Sequence, residues 1–180
     1  MAITKNETER KTTYIHYGNN KFVPEYMKRK CNAIDNKPSF GLWASKTDAD
    51  FGWKDWCMAE DFRNCDETNS FKFTLKDDAK VMYISGDGIP DVLKPYCVSR
   101  DTWHKMIKNN PNAKRIDFNS IIADGYDAIE FDYSNTSSWN CRESRFNELY
   151  DLMYGWDCDS IVILNPDVVE IIEENKTNEI

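Results

Sequence analysis

The chain has 180 residues, enough for one domain with a buried core, and its 41% hydrophobic and 13% aromatic content is typical of a globular protein. Its formal net charge of -8 at pH 7 argues against a protein that binds nucleic-acid phosphates or anionic membranes through clustered Lys and Arg. A polar start and the absence of any long apolar run lead us to expect a cytoplasmic protein without signal peptide or membrane span. We expect one domain over residues 12–174, between a flexible tail (1–11) and a charged tail (175–180).

The first half of the chain predicts four short strands. Residues 12–17 are β-branched and aromatic and stop at a Gly-Asn-Asn turn, and residues 40–45 form a second apolar run behind Lys-Pro. Residues 70–75 alternate as a half-buried strand does, and residues 81–84 follow after Lys-Asp-Asp. Their closeness in sequence predicts that the last two strands pair as a hairpin or meander.

One helix is predicted between the second and third of these strands. Trp53, Trp56 and Cys57 stand at positions i, i+3 and i+4, which is the spacing of an apolar helical stripe. We therefore expect both tryptophans in the core. Asp48 or Asp50 is the expected N-terminal cap, because a carboxylate there accepts a bond from a free backbone N–H.

The second half of the chain mixes helices and strands. Asp101 and Asp117 each precede an apolar periodic run and are typical helix caps, and residues 142–154 predict an amphipathic helix. Residues 125–133 predict a strand, and residues 157–165 predict a buried strand that an Asn-Pro turn closes. Because strands and helices do not alternate regularly, we expect an α+β fold.

Two acidic pairs accompany the last two strands. Period two places Glu130 and Asp132 on one strand face, and Asp157 and Asp159 precede the final strand. Such carboxylates bind Mg²⁺, act as general bases or stabilise an oxocarbenium ion. They are also common in turns and on solvated faces, so the pattern alone leaves structural and catalytic interpretations open.

Other candidate residues have weaker local signals. His16 ends the first strand beside a glycine, and Trp43 with Ser45 offers an aromatic face and a hydroxyl, although a large aromatic is more often core. Six cysteines without a Cys-x-x-Cys pair, together with only two histidines, argue against a zinc site or a disulfide framework. The chain also lacks a Walker loop, a dinucleotide glycine motif, a Gly-x-Ser-x-Gly elbow and a His-Glu-x-x-His motif.

Four short motifs, taken in order, resemble those of the ADP-ribosyltransferase superfamily, which includes poly(ADP-ribose) polymerases and bacterial mono-ADP-ribosyltransferase toxins. Tyr14–Gly18 is similar to its first strand with a His-Gly motif, and Gly41–Ser45 to its Gly-Ile/Leu-aromatic strand. Gly125–Ile129 is similar to a later Gly-Tyr-Asp-Gly/Ala-Ile strand. Asp159–Pro166 is similar to an acid-bearing strand that ends in Asn/Asp-Pro. The resemblance covers most of the chain, and its specificity lies in the order of the motifs.

The resemblance implies an ADP-ribosyltransferase-like split β-sandwich of short strands with peripheral helices, and an NAD⁺ cleft. In it, His16 and the Gly18 backbone bind a ribose or the nicotinamide amide, Trp43 stacks on the nicotinamide, and Ser45 supports the ribose or the catalytic acid. The residues implied for NAD⁺ binding are His16, Tyr17, Gly18, Leu42, Trp43 and Ser45.

The resemblance also implies the reaction and its acids. The nicotinamide–ribose bond of NAD⁺ is cleaved and ADP-ribose is transferred to a macromolecular acceptor, taken here as a protein. The family acid is usually Glu, whereas Asp159 stands at the matching position and is one methylene shorter. Glu130 is therefore the second candidate for the catalytic carboxylate, and no metal is expected in this reaction.

Two other functions fit the residues. The net charge of -8 suits an acidic binding or inhibitor protein that occupies a partner's basic surface or captures a nucleotide without turning it over. The four acids of the last two strands would also suit a Mg²⁺-dependent phosphoesterase. The convergence of His16, Trp43, Glu130 and Asp159 on one cleft would favour the transferase.

Overall fold

The structure is a computed structural model that describes residues 11–28, 34–86, 88–99, 114–136 and 148–174. Within these ranges the chain forms ten strands in two sheets and three short α-helices, which confirms the predicted α+β class. No helix in these ranges is long and apolar enough to cross a membrane. The helix predicted after Asp101 lies outside the described residues, as do the first six residues of the helix predicted over 142–154.

The strands and helices are short. In chain order the strands are β1 Tyr14–Tyr17, β2 Ile34–Asp35, β3 Leu42–Lys46, β4 Ser70–Leu75, β5 Val81–Ile84, β6 Cys97–Ser99, β7 Lys114–Asp117, β8 Ala128–Phe131, β9 Ser160–Ile163 and β10 Val169–Glu174. The α-helices are α1 Trp53–Ala59, α2 Phe118–Ala123 and α3 Glu148–Leu152. Single 3₁₀ turns cover Pro24–Lys28, Glu67–Asn69, Lys94–Tyr96 and Pro166–Val168.

Seven strands form one sheet in the spatial order β10-β4-β1-β3-β9-β8-β5, and β2-β7-β6 form a second sheet. Neighbouring strands are antiparallel except for β5 and β8, which are parallel. The strands predicted over 70–75 and 81–84 are confirmed, but their predicted pairing is wrong. β4 pairs with β1 and β10, whereas β5 lies at the opposite edge of the sheet.

The core lies on both faces of the large sheet. Successive side chains of β8 and β9 point to opposite faces, and both faces are covered by apolar residues. Ile129 and Phe131 belong to one cluster, which also contains apolar residues of β7, α2 and α3. Ala128 and Ile161 belong to the second cluster, with Tyr14, Phe71 and Phe73 of β1 and β4. Strands buried on both faces have continuous apolar sequences, as residues 161–164 do.

Local signals explain several element ends. The predicted cap of α2 is confirmed, because the Asp117 carboxylate accepts a bond from the Ser120 N–H. Gly41 precedes β3 with φ +90°, and a Cβ there would lie 2.6 Å from the Ile163 carbonyl oxygen. Only glycine fits this position, because it tolerates the left-handed conformation and lets the chain approach β9 closely.

Candidate ligand-binding cleft

The large sheet is forked between β1 and β3. These strands pair only at Tyr14 with Lys46 and at Ile15 with Ser45. Beyond that point β1 stays paired with β4, while the first three residues of β3 pair with β9. The two strands therefore separate, and a cavity of about 270 Å³, which we call the fork cavity, lies at the opening.

His16 lies in the fork. Its Nδ1 is 2.7 Å from the Trp43 carbonyl oxygen, and because a carbonyl only accepts, Nδ1 carries the hydrogen. Burial lowers the pKa of His16, the bond to Trp43 opposes this in part, and the positive charge of Arg63 adds to the lowering. The ring is therefore neutral at pH 7, and its Nε2 is a hydrogen-bond acceptor.

Tryptophan rings form the walls of the fork cavity. Trp43 and Trp156 meet edge to face, with ring centroids 4.6 Å apart, and Trp156 is fully buried with its Nε1–H donating to the Asn36 carbonyl at 2.9 Å. Trp53 of α1 lines the same cavity. The expectation that Trp53 and Trp56 are core is wrong, because both are only half-buried and stack on each other at 5.0 Å outside the two core clusters.

Two cations border the same space. The Lys37 ammonium lies 4.4 Å from the centre of the Trp43 ring and donates to the Gly155 carbonyl at 2.9 Å. Partial desolvation lowers the pKa of Lys37, and the nearby Asp157 and Cys158 oppose that lowering. The Arg63 guanidinium lies 5.7 Å from the centre of the Trp53 ring. Aromatic faces and cations together suit a flat ring that carries anionic groups.

The segment before β9 and the first residue of β9 contribute polar groups to the fork cavity. Asp157, Cys158 and Ser160 all border it. Burial raises the pKa of the Cys158 thiol to about 12, so the thiol is protonated and is a poor nucleophile at neutral pH. The buried Ser160 hydroxyl has no hydrogen-bond partner among the described residues. Such a hydroxyl costs about 1–3 kcal/mol, which a ligand group could recover.

Glu130 borders a second cavity of about 220 Å³, which we call the acidic cavity. Its carboxylate is buried and has two partners: the Tyr14 hydroxyl donates to Oε2 at 2.6 Å, and the Lys46 ammonium lies 2.5 Å from Oε1. Burial and the negative charge of Glu130 raise the pKa of Tyr14. Desolvation lowers the pKa of Lys46, but the bond to Glu130 outweighs this and the net shift is upward.

Asp159 borders the acidic cavity as well, and its carboxylate binds the turn after β8 and the segment before α1. Its carboxylate accepts bonds from the Ser134 N–H at 2.8 Å, the Ser134 hydroxyl at 2.7 Å and the Phe51 N–H at 3.1 Å. Its backbone carbonyl accepts from the Ser45 hydroxyl at 2.7 Å, and Ser45 Oγ accepts from the Trp53 N–H at 2.9 Å. The N-cap residue of α1 is therefore Gly52, with the Ser45 hydroxyl of β3 accepting the first helical N–H, and the predicted caps Asp48 and Asp50 are wrong.

The structure brings together some of the predicted site residues and separates others. His16, Tyr17 and Trp43 line the fork cavity, whereas Glu130 and Asp159 line the acidic cavity, and Ser160 borders both. The remaining three lie outside the lining of the fork cavity: Leu42 is buried in the second core cluster, Ser45 accepts the first N–H of α1, and the Gly18 N–H donates to the Asn69 carbonyl at 2.9 Å.

No metal centre is found in the described part of the chain. Glu130, Asp132 and Asp159 share the acidic cavity, but no three His, Cys, Asp or Glu side chains there are grouped so as to hold an ion. Asp132 instead accepts bonds from the backbone and side-chain N–H groups of Asn135 at 2.9–3.1 Å. These contacts give Asp132 a structural role in the turn after β8.

Sequence reasoning missed several residues of the fork cavity, including two cations and two tryptophans. Lys37 and Arg63 lie in irregular segments without a periodic signal, and Trp53 and Trp156 carry the general signature of core residues. The cavity lies between strands that are distant in sequence, so periodicity could not reveal which aromatic side chains face it. A search of protein-family models, curated proteins and solved structures finds no match to this chain.

Proposed function

We propose that the chain is an NAD⁺-dependent ADP-ribosyltransferase that cleaves the nicotinamide–ribose bond and transfers ADP-ribose to a macromolecular acceptor, a protein in the cytoplasm. The observation that carries the proposal is the composition of the fork cavity. It combines tryptophan faces, a neutral histidine acceptor, two cations and a buried hydroxyl without a described partner.

Each of these groups suits a part of NAD⁺. The nicotinamide ring of NAD⁺ is flat, and flat rings stack on aromatic side chains such as those of Trp43 and Trp53. The cations Lys37 and Arg63 suit the pyrophosphate, and His16 Nε2 suits a ribose hydroxyl or an amide donor. The cavity of about 270 Å³ is smaller than the ~300–1,000 Å³ of pockets that bury a whole drug-sized ligand, so it suits the nicotinamide end.

Binding is tested with two matched tryptophan variants. Trp43→Leu removes a wall of the fork cavity, whereas Trp56→Leu changes a half-buried tryptophan that does not line it. We expect NAD⁺ to bind the unaltered protein, to bind Trp43→Leu at least about 10-fold more weakly, and to bind Trp56→Leu within about twofold, by isothermal titration calorimetry. Equal weakening in both variants would argue against binding in the fork cavity.

Turnover is tested by nicotinamide release from NAD⁺ and by transfer of label from adenylate-labelled NAD⁺ to lysate proteins. We expect both with the folded, unaltered chain. If neither occurs, and calorimetry shows no NAD⁺ binding, the proposed function is wrong.

The second candidate is a protein that binds the nucleotide without cleaving it. The observation that favours it is that the carboxylates of Glu130 and Asp159 already accept hydrogen bonds from the protein, away from the fork cavity. A carboxylate held in this way is less available to a reacting sugar. Tight NAD⁺ binding without nicotinamide release would favour this candidate over the transferase.

A further inference from the structure

We infer that Asp157, rather than Glu130 or Asp159, is the catalytic carboxylate that faces the reacting sugar carbon. This inference rests on the proposed function, and it assigns the acid of the fork cavity to a residue outside the predicted catalytic pair. Among the described residues that line the fork cavity, Asp157 is the one with an acidic side chain. Glu130 and Asp159 line the acidic cavity instead.

The hydrogen bonds of the three acids support the same assignment. Glu130 is bound by Tyr14 and Lys46, and the Asp159 carboxylate accepts three bonds. The Asp157 carboxylate has no hydrogen bond or ion pair within the described ranges of the chain. The Lys37 ammonium donates to the Gly155 carbonyl, and the charge of Asp157 reaches it only as a through-space effect that raises the pKa of Lys37. Within the described ranges, the Asp157 carboxylate is therefore not engaged in a hydrogen bond and can interact with a charge that develops on a ligand.

The backbone on both sides of Asp157 is fixed. The preceding Trp156 is fully buried, and its indole N–H donates a hydrogen bond to the Asn36 carbonyl. The following Cys158 is also buried. The next residue, Asp159, has its backbone N–H bonded to the Phe51 carbonyl at 2.8 Å. An exposed side chain on a backbone anchored in this way is preorganised, and this is what electrostatic catalysis requires.

The role of Asp157 in the reaction is to stabilise a developing positive charge electrostatically. The bond between the ribose C1′ and the nicotinamide nitrogen breaks, the electron pair leaves with neutral nicotinamide, and positive charge develops on C1′ and the ring oxygen. The Asp157 carboxylate stabilises that charge. Water or a nucleophilic acceptor group then forms a bond to C1′ and releases a proton to solvent. The Asp157 side chain is exposed in the chain without ligand, so its charge acts most strongly once bound NAD⁺ covers it from water.

Three charge-removing variants test the assignment: Asp157→Asn, Glu130→Gln and Asp159→Asn. Nicotinamide release gives kcat per folded molecule, with the folded fraction taken from circular dichroism, and calorimetry gives NAD⁺ affinity. We expect Asp157→Asn to lower kcat by about 100-fold or more while NAD⁺ affinity changes by less than about threefold. We expect the other two variants to keep kcat within about threefold per folded molecule, and Asp157→Glu to retain more activity than Asp157→Asn.

The outcomes separate this inference from the proposed function. If the unaltered chain releases nicotinamide and Asp157→Asn does so equally fast, the inference is wrong and the proposed function stands. If Glu130→Gln or Asp159→Asn alone abolishes kcat in folded protein, the inference is also wrong. If the unaltered, folded chain binds NAD⁺ and releases none, both the inference and the transferase activity are overturned.

Discussion

The ion pair between Lys46 and Glu130 should contribute much more to folding than an exposed pair of similar geometry. Lys46 is 38% exposed and its partner Glu130 only 7%, so Lys46→Met leaves a buried carboxylate with Tyr14 as its remaining partner. Breaking a fully buried pair costs about 3–5 kcal/mol. Water reaches the lysine end, so we expect about 2–3 kcal/mol here.

The matched control is Lys72→Met. Lys72 is 39% exposed, nearly the same as Lys46, but its partner Glu173 at 2.9 Å is 51% exposed. Removing one member of such a surface pair costs about 0–1 kcal/mol. The comparison therefore isolates the burial of the carboxylate, because the lysine environments are alike.

Urea unfolding followed by tryptophan fluorescence measures both variants. In a thermal melt, the same loss corresponds to a fall of about 4–12 °C in the melting temperature of Lys46→Met, from about 2–4 °C per kcal/mol for a chain of this size. Adding Glu130→Gln to Lys46→Met should restore most of the loss, because it removes the unpaired charge. Equal stability of Lys46→Met and Lys72→Met would refute the reasoning that the Glu130 carboxylate is desolvated.

Three further predictions concern stability. The free energy of unfolding should fall above pH ~10, and fall less in Tyr14→Phe, because the unfolded chain loses the Tyr14 proton near its ordinary pKa of about 10 while the folded protein keeps it; pH-dependent urea titrations measure this. Ser45→Ala should cost about 1–2 kcal/mol in urea unfolding, since it removes the acceptor of the first N–H of α1 and the bond to the Asp159 carbonyl; no loss would contradict this role of the hydroxyl. Gly41→Ala should cost about 3 kcal/mol or more by thermal melting, against about 1 kcal/mol for Gly86→Ala, which has similar φ but open space; equal costs would exclude the clash with β9.

The sequence predicts the elements well because their signals are local. The strand over 70–75 and the Asp117 cap depend on neighbouring residues, and both are confirmed. The expected half-burial of that strand is wrong, because Ser70 and Thr74 are buried as well as Phe71 and Phe73. Strand pairing is not local: the partner of β5 is β8, 47 residues away at Val81 and Ala128, and nothing in 70–84 indicates this. Short connections favour hairpins, but the tertiary fold overrides that tendency here.

The candidate site could be predicted only in part for the same reason. His16 and Trp43 have strand positions that point to a cleft, and they do line it. Asp157 and Asp159 look equivalent in sequence, but they precede β9 in a bent segment, so period two does not govern them and they border different cavities. Trp53 and Trp56 share a helical stripe, but Trp53 lines the fork cavity and Trp56 does not. The difference depends on where α1 lies relative to the fork, which the sequence spacing does not indicate.

The position of the fork in the sequence also determines how late during translation the cleft can form. Its first walls, β1 and β3, are made early, whereas the opposing segment 156–160 follows much later, and the bond from Ser45 to Asp159 spans 114 residues. At about 5–20 residues per second, translation separates the two walls by on the order of 10 s. Contacts of such long sequence separation also form slowly. The half-made chain therefore has tryptophan faces but no opposing wall, and its cleft forms only when nearly the whole domain has been made.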